Sequence, residues 1–175
     1  GPSHHYAISA SREADILLPD AEKFAAISGL LEGSFRNYDT DKFNEAWEAK
    51  IYPDHGWGGK GGEITDRLFL SKFVRALNDA SSLLDGALNR IASMIDFKQT
   101  AVPVVVFNGL NWLRDDPVSI KCRFKAGEAS GVKISDQDKI LIASQMIDPQ
   151  YYSDGSLKSA EVSFIAANIP SVGYK

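Results

Sequence analysis

Through residue 98 apolar side chains recur at steps of three and four, and from Val102 onward that period gives way to a continuous apolar run and then to alternation at steps of two. The chain therefore predicts helices first and strands second, joined by "DFKQTAVP". Pro19 suits a first helical position, and Phe24, Ile27, Leu31 and Phe35 then mark one face until "GSFRNYDT" interrupts it. A second helix is expected from Asp39 or Thr40 as N-cap, with Phe43, Trp47 and Ile51 on one side and Pro53 forcing a stop. Thr65 or Asp66 then caps a long helix whose Phe69, Phe73, Leu77, Leu84, Leu88, Ile91 and Ile95 form a stripe. About thirty helical residues span about 45 Å, so the two earlier helices are expected to pack antiparallel on this one.

The second half reads differently. "VPVVVFNGLNW" predicts a continuous apolar strand ended by an Asn-Gly turn signal, and "PVSIKCRF" alternates Val118, Ile120, Cys122 and Phe124 with polar residues. "KILIASQMI" and "AEVSFIAANI" predict further strands, whereas "PSVGYK" has no evident partner. The fold class is α+β: an N-terminal three-helix bundle over 19–100, followed over 101–175 by antiparallel strands of an incomplete β-sandwich. With that unpartnered end and no initiator Met, the chain is expected to be part of a longer polypeptide.

Composition narrows the function classes. At 44% hydrophobic residues the 175-residue chain can bury a core, and its net charge of −4, with no basic run, argues against a nucleic-acid surface. No apolar run approaches the roughly 20 residues of a membrane span, so the chain is expected to be soluble. One cysteine, Cys122, excludes an internal disulfide and any multi-cysteine zinc site.

The chemistry gathers in "YPDHGWGGKGG", residues 52–62, where Asp54, His55 and Trp57 sit among five glycines. A loop so rich in glycine suits a backbone that approaches something a Cβ would obstruct. His55 could be a metal ligand, a catalytic group or a structural residue. Asp54 could be a ligand, an acid–base group or a turn former after Pro53, and Trp57 a sugar-stacking platform or a plug against the bundle. Zinc needs three or four protein ligands, and no second histidine or cysteine lies at ligand spacing from His55, so any metal would be shared with residues elsewhere. The loop fails as a phosphate cradle, because Gly61 follows Lys60 where Ser or Thr is needed and a helix precedes it. No pair of carboxylates stands out for two-carboxylate glycoside hydrolysis, and no complete catalytic machine is visible.

The order of parts resembles the middle of the α-mannosidases of glycoside hydrolase family 38. "VFNGLNWLRDDPV" resembles the family's "VFNPLSWxRxDxV" strand, "IPSVGYK" resembles its "VPPLGYKTY" segment, and "WEAKIYPDHGWGG" lies ahead of them in the family's order. The resemblance implies a β/α catalytic domain with a zinc ion and two catalytic Asp residues, then a three-helix middle domain and large β domains. It implies that 1–18 is the tail of that catalytic domain and that His55 matches the last zinc ligand; Asp54 and Trp57 beside it are the candidate substrate-binding residues. None of the catalytic carboxylates matches a position here. Asp precedes the histidine in this chain where the family places it after, leaving Gly56 there. The implied partners are a mannose-containing oligosaccharide and the remaining domains of the same polypeptide. The alternative is a non-enzymatic carbohydrate-binding or assembly module with Trp57 stacked on sugar.

Overall fold

A computed structural model describes residues 4–51, 61–97 and 101–175. It is an α+β arrangement of two compact units, Gly1–Pro103 and Val104–Lys175. The helical unit comprises α1 (His5–Glu32), α2 (Thr40–Lys50) and α3 (Glu63–Ser93). α1 does not begin at Pro19: the proline lies inside a 28-residue helix. An interior proline removes a backbone hydrogen bond and costs about 3 kcal/mol. The helix continues because Ala7, Ala10, Ala14, Leu18 and Ala21 form a buried stripe along it on both sides of the proline.

The facing surface of α3 is built alike. Phe69, Phe73, Ala76, Ala80, Ala87 and Ile91 are its buried residues, and Leu77 packs partly against them. Ala14, Ala49 and Ala76 meet where the three helices come together, and Ala7 and Ala10 cover Phe69 and Phe73 nearer the start of α1. Alanine has no side-chain rotamer entropy to lose, and it lets helix backbones approach closely in ridge-and-groove packing.

His4 Nε2 lies 3.7 Å from Asp66 Oδ2 near the start of both helices, and Arg90 Nε donates to Ser28 Oγ at 3.1 Å near their ends. α1 is thus parallel to α3, not antiparallel to it as expected. α2 runs against both, since Lys42 reaches Ser82 while Glu45 pairs with Arg75 nearer the start of α3. The Asp39 carboxylate accepts from Lys42 N at 3.0 Å, which caps α2 as its sequence predicts. α3 starts earlier than predicted, with Gly62 as N-cap in place of Thr65 or Asp66.

α1 ends at Gly33, whose φ of 66° is the left-handed geometry of a helix C-cap. The following Phe35 folds back so that its ring lies where a Cβ on Gly29 would stand. Phe35 therefore does not extend the helical stripe, and Leu31 on that predicted stripe is mostly exposed.

The β unit contains β1 (Phe107–Asn108), β2 (Arg114–Arg123), β3 (Ile134–Ser135), β4 (Leu141–Ile142), β5 (Ser144–Tyr151), β6 (Leu157–Ile169) and β7 (Gly173–Tyr174). They form three small antiparallel sheets, β2-β6-β5, β3-β4 and β1-β7. Only Phe107 and Asn108 of the "VPVVVFNGLNW" run are strand. β2 alternates as predicted, with Val118, Ile120 and the free, half-buried thiol of Cys122 on its covered face. Phe164, Ala166 and Ile169 of β6 form the core there, with Val106, Val118, Ile120, Ile134 and Ile142 packed on it.

Two bulges shape this sheet. Two residues of β6, Ala167 and Asn168, oppose Asp115 alone, and Asp148 and Pro149 of β5 oppose Ala160 alone. Asn168 (φ 56°) and Asp148 (φ 47°) take the left-handed conformation that Asn and Asp tolerate best among side-chain-bearing residues. The Asp115 carboxylate fixes the first bulge by accepting from Asn168 N at 2.6 Å.

Ala76 is fully buried between α1 and α2, so enlarging it forces helices apart. Ala76→Leu should destabilise the helical unit by about 1–3 kcal/mol, the usual cost of overpacking. Urea unfolding followed by far-ultraviolet circular dichroism measures this, and an unchanged midpoint would show that the contact has slack.

Candidate functional site

Asp54, His55 and Trp57 lie outside the described residues. The structure does describe what flanks their loop. α2 delivers the chain at Lys50 and α3 takes it up at Glu63. Lys50 is anchored: its Nζ is 2.9 Å from Asp15 Oδ1 and 6.0 Å from the centre of the Phe73 ring, a cation–π position. Asp66, in the first turn of α3, sits beside His4 and keeps its Oδ1 buried without a hydrogen-bond partner. Among the described residues no group of three or more His, Cys, Asp or Glu side chains could hold a metal ion. The described part of the chain does not by itself make a zinc site.

A polar cluster closes the other end of α1 and α3. Glu32 accepts from Ser28 Oγ at 3.0 Å and from Asn37 Nδ2 at 2.8 Å, and Arg90 Nε lies 3.5 Å from its Oε1. The Asn37 hydrogen bond is the chief cause that holds the Glu32 carboxyl below its ordinary value of 4.5; burial opposes it, and Ser28 and the Arg90 charge add to it. A shallow polar hollow formed by residues 36–41 and Arg90 adjoins the cluster. Burial, with the Glu22 charge second, pushes the Tyr38 phenol upward. Glu22 is itself engaged by Trp47 Nε1 at 3.1 Å. These groups satisfy one another, and their arrangement is that of a helix clasp.

In the β unit the buried polar centre is Asn108, only 1% exposed. Its Nδ2 donates to Trp112 O at 2.7 Å, Pro170 O at 3.0 Å and Ile169 O at 3.3 Å, while its Oδ1 accepts from Leu110 N at 3.0 Å. Val172 N donates to Leu110 O at 2.8 Å, and Val106 and Lys175 exchange backbone bonds of 2.8 and 2.9 Å. "PSVGYK" thus has a partner after all: it pairs with the β1 segment. Val172 carries a φ of 43°, strained for a β-branched residue by about 1–3 kcal/mol, and the Leu110 bond helps hold it there. Sequence reasoning read Asn108 and Gly109 only as a turn signal and missed the hub. The Asn-Gly pair was its one local sign, because the carbonyls that Asn108 gathers lie more than sixty residues away in part.

Comparison with protein-family models, with curated proteins and with solved structures finds no match to the chain. No helix among the described residues is long and apolar enough to cross a membrane.

A folded-state pKa below the ordinary carboxylate value means that Glu32 contributes stability above about pH 4.5 and loses it as pH falls through the lowered value. Glu32→Gln should therefore flatten the acid limb of the helical unit's stability. Urea midpoints between pH 3 and pH 6, taken on both proteins as rough brackets of that window, check this. Parallel pH profiles would remove Glu32 from the account.

Proposed function

We propose that the chain is part of a retaining, zinc-dependent α-mannosidase of the glycoside hydrolase family 38 type, acting on α-mannosidic bonds in glycans. In this reading the chain enters from the catalytic domain through the first half of α1, whose residues up to 18 are part of the helical unit and not a separate tail, the three helices form the middle domain, and Val104–Lys175 opens the β region. The observation that carries it is the meeting of "VFNGLNW" with "IPSVGYK". These two stretches bear the most specific resemblance, stand far apart in sequence, and are joined by β1–β7 pairing and by Asn108. Two unrelated chance likenesses would have no reason to be one structural element.

Retaining glycoside hydrolysis proceeds through a glycosyl-enzyme intermediate and needs two carboxylates about 5–5.5 Å apart, here supplied by the catalytic domain. This chain's part is to present the loop between α2 and α3. His55 completes the zinc shell, with Asp54 and Trp57 beside the mannose-containing substrate. The anchoring of Lys50 by Asp15 and Phe73 supports the role of α2 as a fixed arm for that loop. Zinc bound by three or four protein ligands takes the rest of its shell from outside the chain.

In the polypeptide that joins this chain to its catalytic domain, His55→Ala should lower zinc content and turnover of an aryl α-mannoside together, by at least about tenfold. The circular dichroism spectrum should not change. The 175-residue chain alone should give no turnover. Full zinc content in His55→Ala, or hydrolysis by the chain alone, would overturn the assignment. Binding of mannose oligosaccharide by the chain alone, lost in Trp57→Ala, would move the reading to a non-enzymatic module.

A further inference from the structure

We propose that Asn108 is a deamidation site guarded by the fold, so that opening of the β1–β7 junction exposes it and its conversion makes the opening irreversible. The argument begins with Asn108 followed by Gly109. In any flexible Asn-Gly segment the following backbone nitrogen can attack the side-chain Cγ, because glycine offers no Cβ to obstruct the approach. The Gly109 N–Cγ bond forms, the Cγ–Nδ2 bond breaks, and ammonia leaves carrying the proton from the Gly109 amide. Water then opens the cyclic imide at either carbonyl. The product is aspartate, or isoaspartate with the main chain rerouted through the side chain.

In the folded chain this reaction is opposed on two counts. Asn108 is 1% exposed, and three carbonyls and the Leu110 amide hold its side chain in one orientation. Turning Cγ onto the Gly109 nitrogen breaks those bonds, and the charged tetrahedral intermediate would form where water is scarce. The orientation of the amide is fixed by its partners: a flipped group would point its oxygen at the carbonyls of Trp112, Ile169 and Pro170.

Once conversion has happened, the junction cannot be rebuilt. An ionised carboxylate only accepts hydrogen bonds, so it would meet three carbonyl oxygens with no proton to offer. A buried charge without partners is strongly unfavourable. The strained Val172 and the short β1–β7 ladder depend on the same junction and would be released with it. Chemical modification of the open state is one of the general routes by which unfolding becomes irreversible.

The test holds the 175-residue chain at mildly alkaline pH, in native buffer and in guanidinium chloride, and follows Asn108 by peptide mass mapping. Conversion should be at least about tenfold slower in the native chain, since it must wait for local opening. After denaturant removal, protection of the Val106 and Lys175 amides from hydrogen exchange should be lost in step with conversion. Gly109→Ala, which crowds the attacking nitrogen, should keep Asn108 intact in denaturant for longer, a mass readout independent of refolding. Equal rates in the native and denatured chain would overturn the guard. A converted chain that regains protected Val106 and Lys175 amides would overturn the irreversibility.

Discussion

The close contact of α1 with α3 is the constraint on which the helical unit depends. Both helices are far longer than α2, at 28 and 31 residues against 11, so for much of their length they have only each other as described partners. Small side chains make that contact possible. Ala14 and Ala76 let the backbones approach, and the larger Leu18, Phe24, Phe69 and Phe73 are buried along the same two helices. A fully buried side chain of that size contributes about 1.5–3 kcal/mol, which is how a proline inside α1 can be tolerated. Polar groups fix the register at each end: His4 beside Asp66, and Arg90 with Ser28 and Glu32.

The β unit has a different kind of centre. Its apolar core around Phe164 is modest, and one buried amide organises the segments that precede β2 and follow β6. Asn108 can do this because a primary amide carries donors and an acceptor together, so it can face carbonyls on one side and an N–H on the other. Leucine could fill the volume, but it would leave those backbone groups buried and unpaired.

How much of this was legible in the sequence follows from the residue types involved. Phe43, Asp39 and the alternation of Val118, Ile120 and Cys122 are large or chemically distinctive, and the helix cap and strand they predict are present. The first half of α1 was missed because its buried face is alanine, which hydrophobic periodicity barely registers, and because Pro19 reads locally as a start. The face assigned to Phe24, Ile27, Leu31 and Phe35 was half right: Phe24 is buried, but Phe35 lies beyond the helix. The pairing of "PSVGYK" with β1 is a contact across more than sixty residues, and no local pattern reports it. Of the candidate site, the sequence offers the residues, while the structure describes only the supports on either side: Lys50 on its anchors and Asp66 at the head of α3.

These supports give the functional proposal its physical form. In that proposal, His55 of the glycine-rich segment between these helix ends meets chemistry supplied by another domain. The most direct measurement is X-ray absorption at the zinc edge of the polypeptide that includes the catalytic domain. The proposal predicts that His55→Ala removes one imidazole from the zinc coordination shell and leaves the other ligands in place. An identical shell in the wild-type and His55→Ala proteins would contradict it.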